Sequence, residues 1–378
     1  LTPKKPQRRA YQLIKTFLLG EAMGDNELRI GRGFVGASGV ELLRMLNEAG
    51  ALTLTAMDHD YINKYFQTSN PLLIDAVWNM HPEFYRSNVF QLHPPGNKIE
   101  ALCGPKGEGI PGYPALVKGK FVRKEFAGEL ERLGDELVEH NPNLVICLGN
   151  SALWALSGTT GVSKLRGSTR ASTHTVADFK LLPTYHPAAV LRQWELRPVT
   201  VADLMKAARE AEYPEIRRPQ REIWIEPSIE DILAFTEQFI KPCEILSVDI
   251  ETSRSRVTCI GFSPDPSRAI VVPFDDSRSK GKCYWPSAGI EIQAWQIVRG
   301  ILEDGTIRKV FQNGLYDIAF LWRAYGIKVY GASEDTMLLS HALQPESLKG
   351  LAFLGSIFSD EGAWKSERKA NETIKRDA

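Results

Sequence analysis

The stretch 247-SVDIE-251 follows the apolar residues of EIL (244–246) and precedes TSRSRVTCIGFS (252–263). Val248 and Ile250 alternate with Asp249 and Glu251, which reads as a β-strand, because alternate side chains of a strand share a face. Both acids therefore project together, and two like charges side by side need something cationic between them. A third carboxylate, Asp317, stands in QNGLYDIAFL (312–321), where it follows a strand end and opens a helix. Carboxylates converging from separate elements are what Mg²⁺ or Mn²⁺ requires. Two such ions about 4 Å apart activate a water and stabilise the leaving oxygen in phosphodiester hydrolysis.

Strands read at 244–251, 256–263 and 268–274 form a closely spaced meander, followed by a helix over 292–304, a strand over 308–313 and two further helical stretches. This is a mixed α/β domain. On the N-terminal side, strand candidates TFLLGEA (16–22), SNVFQLH (87–93), LVICLGN (144–150) and FKLLPTYHP (179–187) alternate with helical patterns at 38–51 and 124–140. Such alternation predicts a three-layer α/β/α domain on a largely parallel sheet, with functional loops at the C-terminal ends of its strands. Between the two lies YPEIRRPQREIWIEP (213–227), whose three prolines among charged residues are linker composition. The expected organisation is a first domain over 1–213, a linker over 214–221 and a second domain over 222–378.

The chain has 378 residues, enough for two or three domains, with 43% hydrophobic and 24% charged residues. No run approaches the roughly 20 apolar residues of a bilayer span, so no membrane partner is expected. The basic N-terminus leads into the first strand pattern without a small-residue cleavage site. Five cysteines lack C-x-x-C spacing, which fits a reducing compartment and a cytoplasmic location. Formal net charge is zero, so a polyanion would have to meet charge segregated onto one face; KKPQRR (4–9) and IRRPQR (216–221) are the basic clusters. GRGFVGASG (31–39) is glycine-rich without a Walker lysine and is not read as a nucleotide loop.

DIET (249–252), NGLYD (313–317) and EDTMLLSHALQPES (334–347) together resemble the proofreading 3′-5′ exonuclease of family-A DNA polymerases, a DEDD nuclease with a ribonuclease-H-like fold. The resemblance implies that Asp249, Glu251 and Asp317 are catalytic and hold two Mg²⁺ or Mn²⁺ ions. Asp335 matches a position that is usually not a ligand. The family's third motif, Tyr-x-x-x-Asp, is matched by Asp377, with Thr373 at the tyrosine position. Either the nuclease lacks the residue that orients its attacking water, or the chain stops short of the motif.

Four segments, at 18–50, 87–98, 144–158 and 181–192, resemble in the family's order the uracil-DNA glycosylase superfamily, most closely its family-4 enzymes and the similar domain fused to some phage DNA polymerases. The resemblance implies that Glu21 positions water, Phe34 stacks on the base, Asn88 reads its polar edge and His186 donates to the developing oxyanion. Leu191 and Arg192 lie where the family's loop probes the duplex, and His93 could touch phosphate or base. Met23 stands where the family has proline in GEAPG, Gly33 where it has proline in PFVG, and Gln91 and Leu92 replace Lys and Cys of KCRPP. With no N-terminal C-x-x-C, no iron–sulfur cluster is expected, and Cys103 reads as a packed thiol. In GNSALWALSG (149–158), Asn150 or Ser151 is the expected helix cap and Trp154 a core residue.

Two hypotheses follow. One is the N-terminal part of a phage-type DNA polymerase, a glycosylase-like domain joined to a proofreading exonuclease, with DNA and replication proteins as partners. The other is a binding module whose altered first domain only grips template or partner. A stand-alone repair nuclease and glycosylase is the remaining alternative.

Overall fold

TFLLGEA forms β1 (Thr16–Ala22), and its first five residues are all buried. A parallel strand covered on both faces reads as a continuous apolar run, which explains why this segment does not alternate. In the computed structural model, which describes residues 14–253, 255–278 and 283–361, β1 pairs in parallel with β2 (Phe84–Phe90) on one side. After a short antiparallel ribbon of β3 (Cys103–Gly104) and β4 (Phe121–Val122), β5 (Leu144–Leu148) pairs in parallel with the other side of β1. β6 (Arg170–Ala171) is antiparallel to β7 (Lys180–Thr184), giving the order β2-β1-β5-β7-β6.

Phe17 and Leu19 face a layer containing α5 (Ala127–His140) and α6 (Asn150–Ser157), through Leu133, Leu137 and Trp154. Leu18 faces the other layer, where α2 (Ala37–Glu48), α4 (Pro71–Asn79) and α9 (Arg197–Glu210) contribute Leu42, Trp78 and Leu204. Three layers result. The second strand begins and ends earlier than the 87–93 expected from sequence. Gln91 leaves the ladder because its N–H donates to Glu129 Oε2 on α5 at 2.9 Å.

This first unit takes the described residues up to Arg217 and also 355–361; the second takes 218–354. In the second unit, β9 (Leu246–Ser253) buries Leu246, Val248 and Ile250 and exposes Ser247, Asp249 and Glu251. It is antiparallel to β10 (Arg256–Asp265), which is antiparallel to β11 (Arg268–Pro273). On its other side β9 is parallel to β12 (Lys309–Phe311). The edges are β8 (Glu222–Trp224), parallel to β11, and β13 (Ala332–Asp335), parallel to β12. Sequence reading missed β13 because ASED carries no apolar pattern; its backbone pairing with β12 makes it a strand. The core combines β9 to β11 with α10 (Ile229–Phe235), α11 (Ala288–Glu303) and α12 (Leu315–Tyr325). Among the described residues no helix is long and apolar enough to cross a membrane.

Candidate functional site

In the first unit the candidate residues gather at the C-terminal ends of β1, β2, β5 and β7. Phe34 is buried and sits at φ 59°, a left-handed conformation that costs a non-glycine residue energy unless its surroundings hold it. They do. Its N–H donates to Glu27 on α1 (Asp25–Ile30), and its carbonyl accepts from Trp78 Nε1 at 2.9 Å. The neighbouring Gly33 carbonyl accepts from Arg86 Nη1 at 3.0 Å, while Arg86 Nη2 donates to Asp75 at 2.9 Å. Nothing in the sequence pattern announces Arg86, Trp78 or Asp75 as supports, because what they hold is backbone or one another.

The Phe34 ring and Asn88 meet over Gly20. A Cβ at Gly20 would stand 2.2 Å from Asn88 Oδ1 and 2.8 Å from Phe34 Cζ, so only glycine permits this approach. Asn88 is 2% exposed, and the carbonyls of Asn88 and Val89 accept from Arg132 Nη2 at 2.8 and 2.9 Å. Its Nδ2 donates to Met23 Sδ at 3.5 Å. Met23 in turn is held by its backbone: its N–H donates to the Leu92 carbonyl at 3.1 Å, and His93 Nδ1 donates to the Met23 carbonyl at 2.9 Å. The structure thus places His93 as a fastener of the 23–24 turn, with its Nε2 3.6 Å from Asp25. Gln91 Nε2 donates to Ser87 Oγ at 3.0 Å, and Leu92 packs on the core. Cys103 is a buried free thiol.

Glu21, at the end of β1, accepts a hydrogen bond from Ser151 Oγ. Burial pushes its carboxyl above the usual range, opposed by Ser151 and Arg192 and reinforced by Glu100. Ser151 is therefore not the helix cap expected from sequence, and neither is Asn150. The N-cap of α6 is Gly149 at φ 93°, whose N–H donates to the Thr184 carbonyl, and Asn150 Oδ1 instead accepts from Gly161 and Val162 N–H at 2.9 Å. Trp154 is in the core as expected.

His186 opens α8 (Pro187–Arg192), and its Nδ1 accepts from Ala188 N–H at 3.1 Å. Burial, with Arg192 adding, pushes its pKa down to about 4, so the ring is neutral near pH 7. A neutral imidazole accepting at Nδ1 carries its proton on Nε2. The Phe34 and His186 rings lie 5.9 Å apart between centroids. Leu191 and Arg192 are exposed at the end of the same helix.

In the second unit, Asp249 and Glu251 are exposed on one face of β9, as their spacing requires. Asp317 lies in the first turn of α12, and its Oδ1 accepts from Ile250 N–H at 3.2 Å. Its pKa is pushed up to about 6 by burial, with the charges of Asp249 and Asp335 adding and the Ile250 N–H opposing. Asp317 thus feels the charge of Asp249, and an all-oxygen acid set of Asp249, Glu251 and Asp317 fits a hard divalent cation in its chemistry. Yet among the described residues no three His, Cys, Asp or Glu side chains converge closely enough to hold an ion. Asp317 is directed to the Ile250 amide, which lies between Asp249 and Glu251 on β9. Asp377 lies outside the described residues. Asp335 caps α13 (Thr336–Leu343). Burial works against its charge, but the amides of Gly314, Asn313, Leu338 and Met337 hold its carboxyl below the usual range.

Residues 12–210 match the family model described as the uracil DNA glycosylase superfamily, and residues 225–373 match that of a 3′-5′ exonuclease. The chain is similar to the type-4 uracil-DNA glycosylase of Archaeoglobus fulgidus, 27% identical over 198 residues covering 50% of this chain and 72% of that protein. The corresponding enzyme of Sulfurisphaera tokodaii is 23% identical over 201 residues, covering 52% and 70%. Among solved structures, Brucella melitensis NrnC matches with a TM-score of 0.27 at 18% identity, over 38% of this chain and 62% of that one. Trypanosoma brucei RNase D matches with a TM-score of 0.23 at 14% identity, over 29% and 36%.

Gly20→Ala should lower the stability of the first unit by roughly 1–3 kcal/mol, the usual range for overpacking, in denaturant titration; an unchanged midpoint would contradict the contact with Asn88 and Phe34. For His186, long-range ¹⁵N–¹³C spectra should show the Nε2–H tautomer unchanged from pH 8 to pH 5. A folded pKa of about 4 against an ordinary 6.5 means that the unfolded chain binds the proton more tightly. The His186 contribution should therefore leave stability unaffected above about pH 6.5 and erode it as pH falls towards 4. A titration midpoint near 6.5 in the folded protein would contradict the burial.

Proposed function

We propose, from the premise that this chain belongs to the uracil DNA glycosylase superfamily and joins that domain to a 3′-5′ exonuclease domain, that it degrades DNA from 3′ ends and grips DNA with the first unit. The exonuclease reading is carried by Asp317 reaching the Ile250 amide at 3.2 Å, between the exposed Asp249 and Glu251 of β9. Asp249, Glu251 and Asp317 would hold two Mg²⁺ or Mn²⁺ ions, with Asp377 as the fourth candidate. When bound, such ions activate water and stabilise the leaving oxygen. The chain's own contribution is to present two carboxylates from one strand face and a third from α12, with Leu315 and Tyr316 exposed beside them. Tyr316 Oη shares a hydrogen bond with Thr252 Oγ1 at 2.8 Å, which ties the start of α12 to β9. The order of the two domains and the polymerase-like motifs support a finer reading, as the glycosylase-like and proofreading part of a phage-type family-A DNA polymerase working among replication proteins.

Asp249→Ala with Glu251→Ala should abolish Mg²⁺-dependent shortening of a 5′-labelled single strand while leaving the melting temperature within a few degrees. Digestion that persists in the double variant or in EDTA would refute the assignment.

For the first unit the reading is a DNA-binding platform with weak or absent base excision. Phe34 supplies a stacking face, Asn88 a polar edge, neutral His186 an Nε2–H donor for an oxyanion and Glu21 a carboxylate for water. What favours the platform is the Met23 thioether against Asn88. Misplacement of about 1 Å costs roughly a hundredfold in rate. Single-stranded DNA containing uracil, incubated in EDTA and then alkali, should remain intact with wild type, Glu21→Ala and His186→Ala alike, all three still binding DNA. Robust cleavage by wild type that both substitutions remove would make this an active excision domain.

A further inference from the structure

We infer that Met23 is the gate of the base pocket in the first unit. Its side chain stands on the hydrogen-bonding edge of Asn88 and fills the place of a pyrimidine carbonyl, so the pocket is closed by the chain itself. The inference rests on the platform reading above and adds which residue decides base selectivity.

Three observations carry it. First, Asn88 is almost wholly buried, and its Nδ2 donates to a thioether, a weak acceptor compared with any carbonyl oxygen. A buried amide donor left on so poor a partner binds an incoming carbonyl more tightly than the sulfur it gives up. Second, the pocket is otherwise built. The Phe34 backbone is locked by Glu27, Trp78 and the Arg86 hold on Gly33, and Gly20 leaves Phe34 and Asn88 in contact with the floor. A Cβ at Gly33 would come 3.3 Å from Asn88 Nδ2, so this side of the pocket has no side chain to obstruct it either. Third, Met23 is 3% exposed, yet only its backbone is fastened, through Leu92 and His93. The thioether has three rotatable bonds and no hydrogen bond besides the one to Asn88 among those described, so a rotamer change would free the Asn88 edge while the turn stays fastened.

The ligand class follows from the orientation of the amide. Nδ2 faces the gate, so the base it accepts presents a carbonyl there, as uracil does at C4. Cytosine presents an amine at that position and meets donor with donor.

The test is fluorescence anisotropy of the full chain in EDTA with single strands that differ at one nucleotide, 2′-fluoro-2′-deoxyuridine or 2′-fluoro-2′-deoxycytidine. Wild type should prefer the uracil strand by no more than about twofold, because displacing Met23 offsets most of the gain. Met23→Ala should prefer the uracil strand by about tenfold, the size of one well-made hydrogen bond. Met23→Leu, which keeps the volume but not the sulfur acceptor, should show a preference well below that of the alanine variant, and Asn88→Ala should erase the preference of the alanine variant. A Met23→Ala protein that binds DNA without preference overturns the gate, as does a leucine variant that opens like alanine, or a preference that survives loss of Asn88. Failure of every variant and of wild type to bind either strand would instead sink the platform reading. Should Met23→Ala not fold, methyl-labelled methionine in wild type decides: saturating uracil strand should shift the Met23 methyl resonance and the cytosine strand should not. Equal shifts, or none with DNA bound, overturn the inference.

Discussion

Enclosure of one strand between two layers is the constraint on which the first unit depends. Phe17, Leu18 and Leu19 are inaccessible to solvent, and β1 is paired on both edges, so the strand has no lateral surface left for chemistry. Only its carboxyl end emerges, and there Glu21 meets Ser151 after β5, Met23 meets Asn88 from β2, and Phe34 faces His186 after β7. A parallel sheet gathers these loops at one end because each crossover helix returns the chain to the opposite end. The second unit solves the problem differently. β9 buries alternate residues only, which leaves a full face of the strand, and both of its acids, open.

The pocket in the first unit is rigid where it faces the ring of a base and adjustable where it faces the base's edge. Phe34 cannot relax from its left-handed conformation without breaking the hydrogen bonds of Glu27 and Trp78. Met23, by contrast, has a fastened backbone and a side chain with many rotamers. The segments at 23 and 91–93 are joined in the structure. His93 and Leu92 hold the Met23 turn, while Gln91 is drawn off the strand by Glu129.

His186 illustrates how a local hydrogen bond sets chemistry. A ring capping its own helix through Nδ1 has its tautomer chosen by the Ala188 amide, and burial keeps it neutral. Glu21 and Asp317 show the complementary effect. Each carboxyl is pushed upwards by burial, and each sits beside another acid that adds to the shift.

Much of this was legible in the sequence. The run TFLLGEA coincides with β1, and the i, i+2 spacing of Asp249 and Glu251 placed both on one face, since strand periodicity is a local property. The ASED strand was not legible, because a polar edge strand exists only through its partner's backbone. Nor was the role of Ser151, which reads as a cap but reaches Glu21 across 130 residues of chain. The sequence by itself determined the two-domain α/β organisation, through apolar periodicity, and the motifs' resemblance to two families supplied the candidate residues of both sites. Only the tertiary structure decided that Met23 lies on Asn88, that Phe34 is held by Glu27, Trp78 and Arg86, and that Asp317 turns to the Ile250 amide. Those contacts join residues distant along the chain, and side-chain packing between separate elements leaves no periodic trace in any one of them.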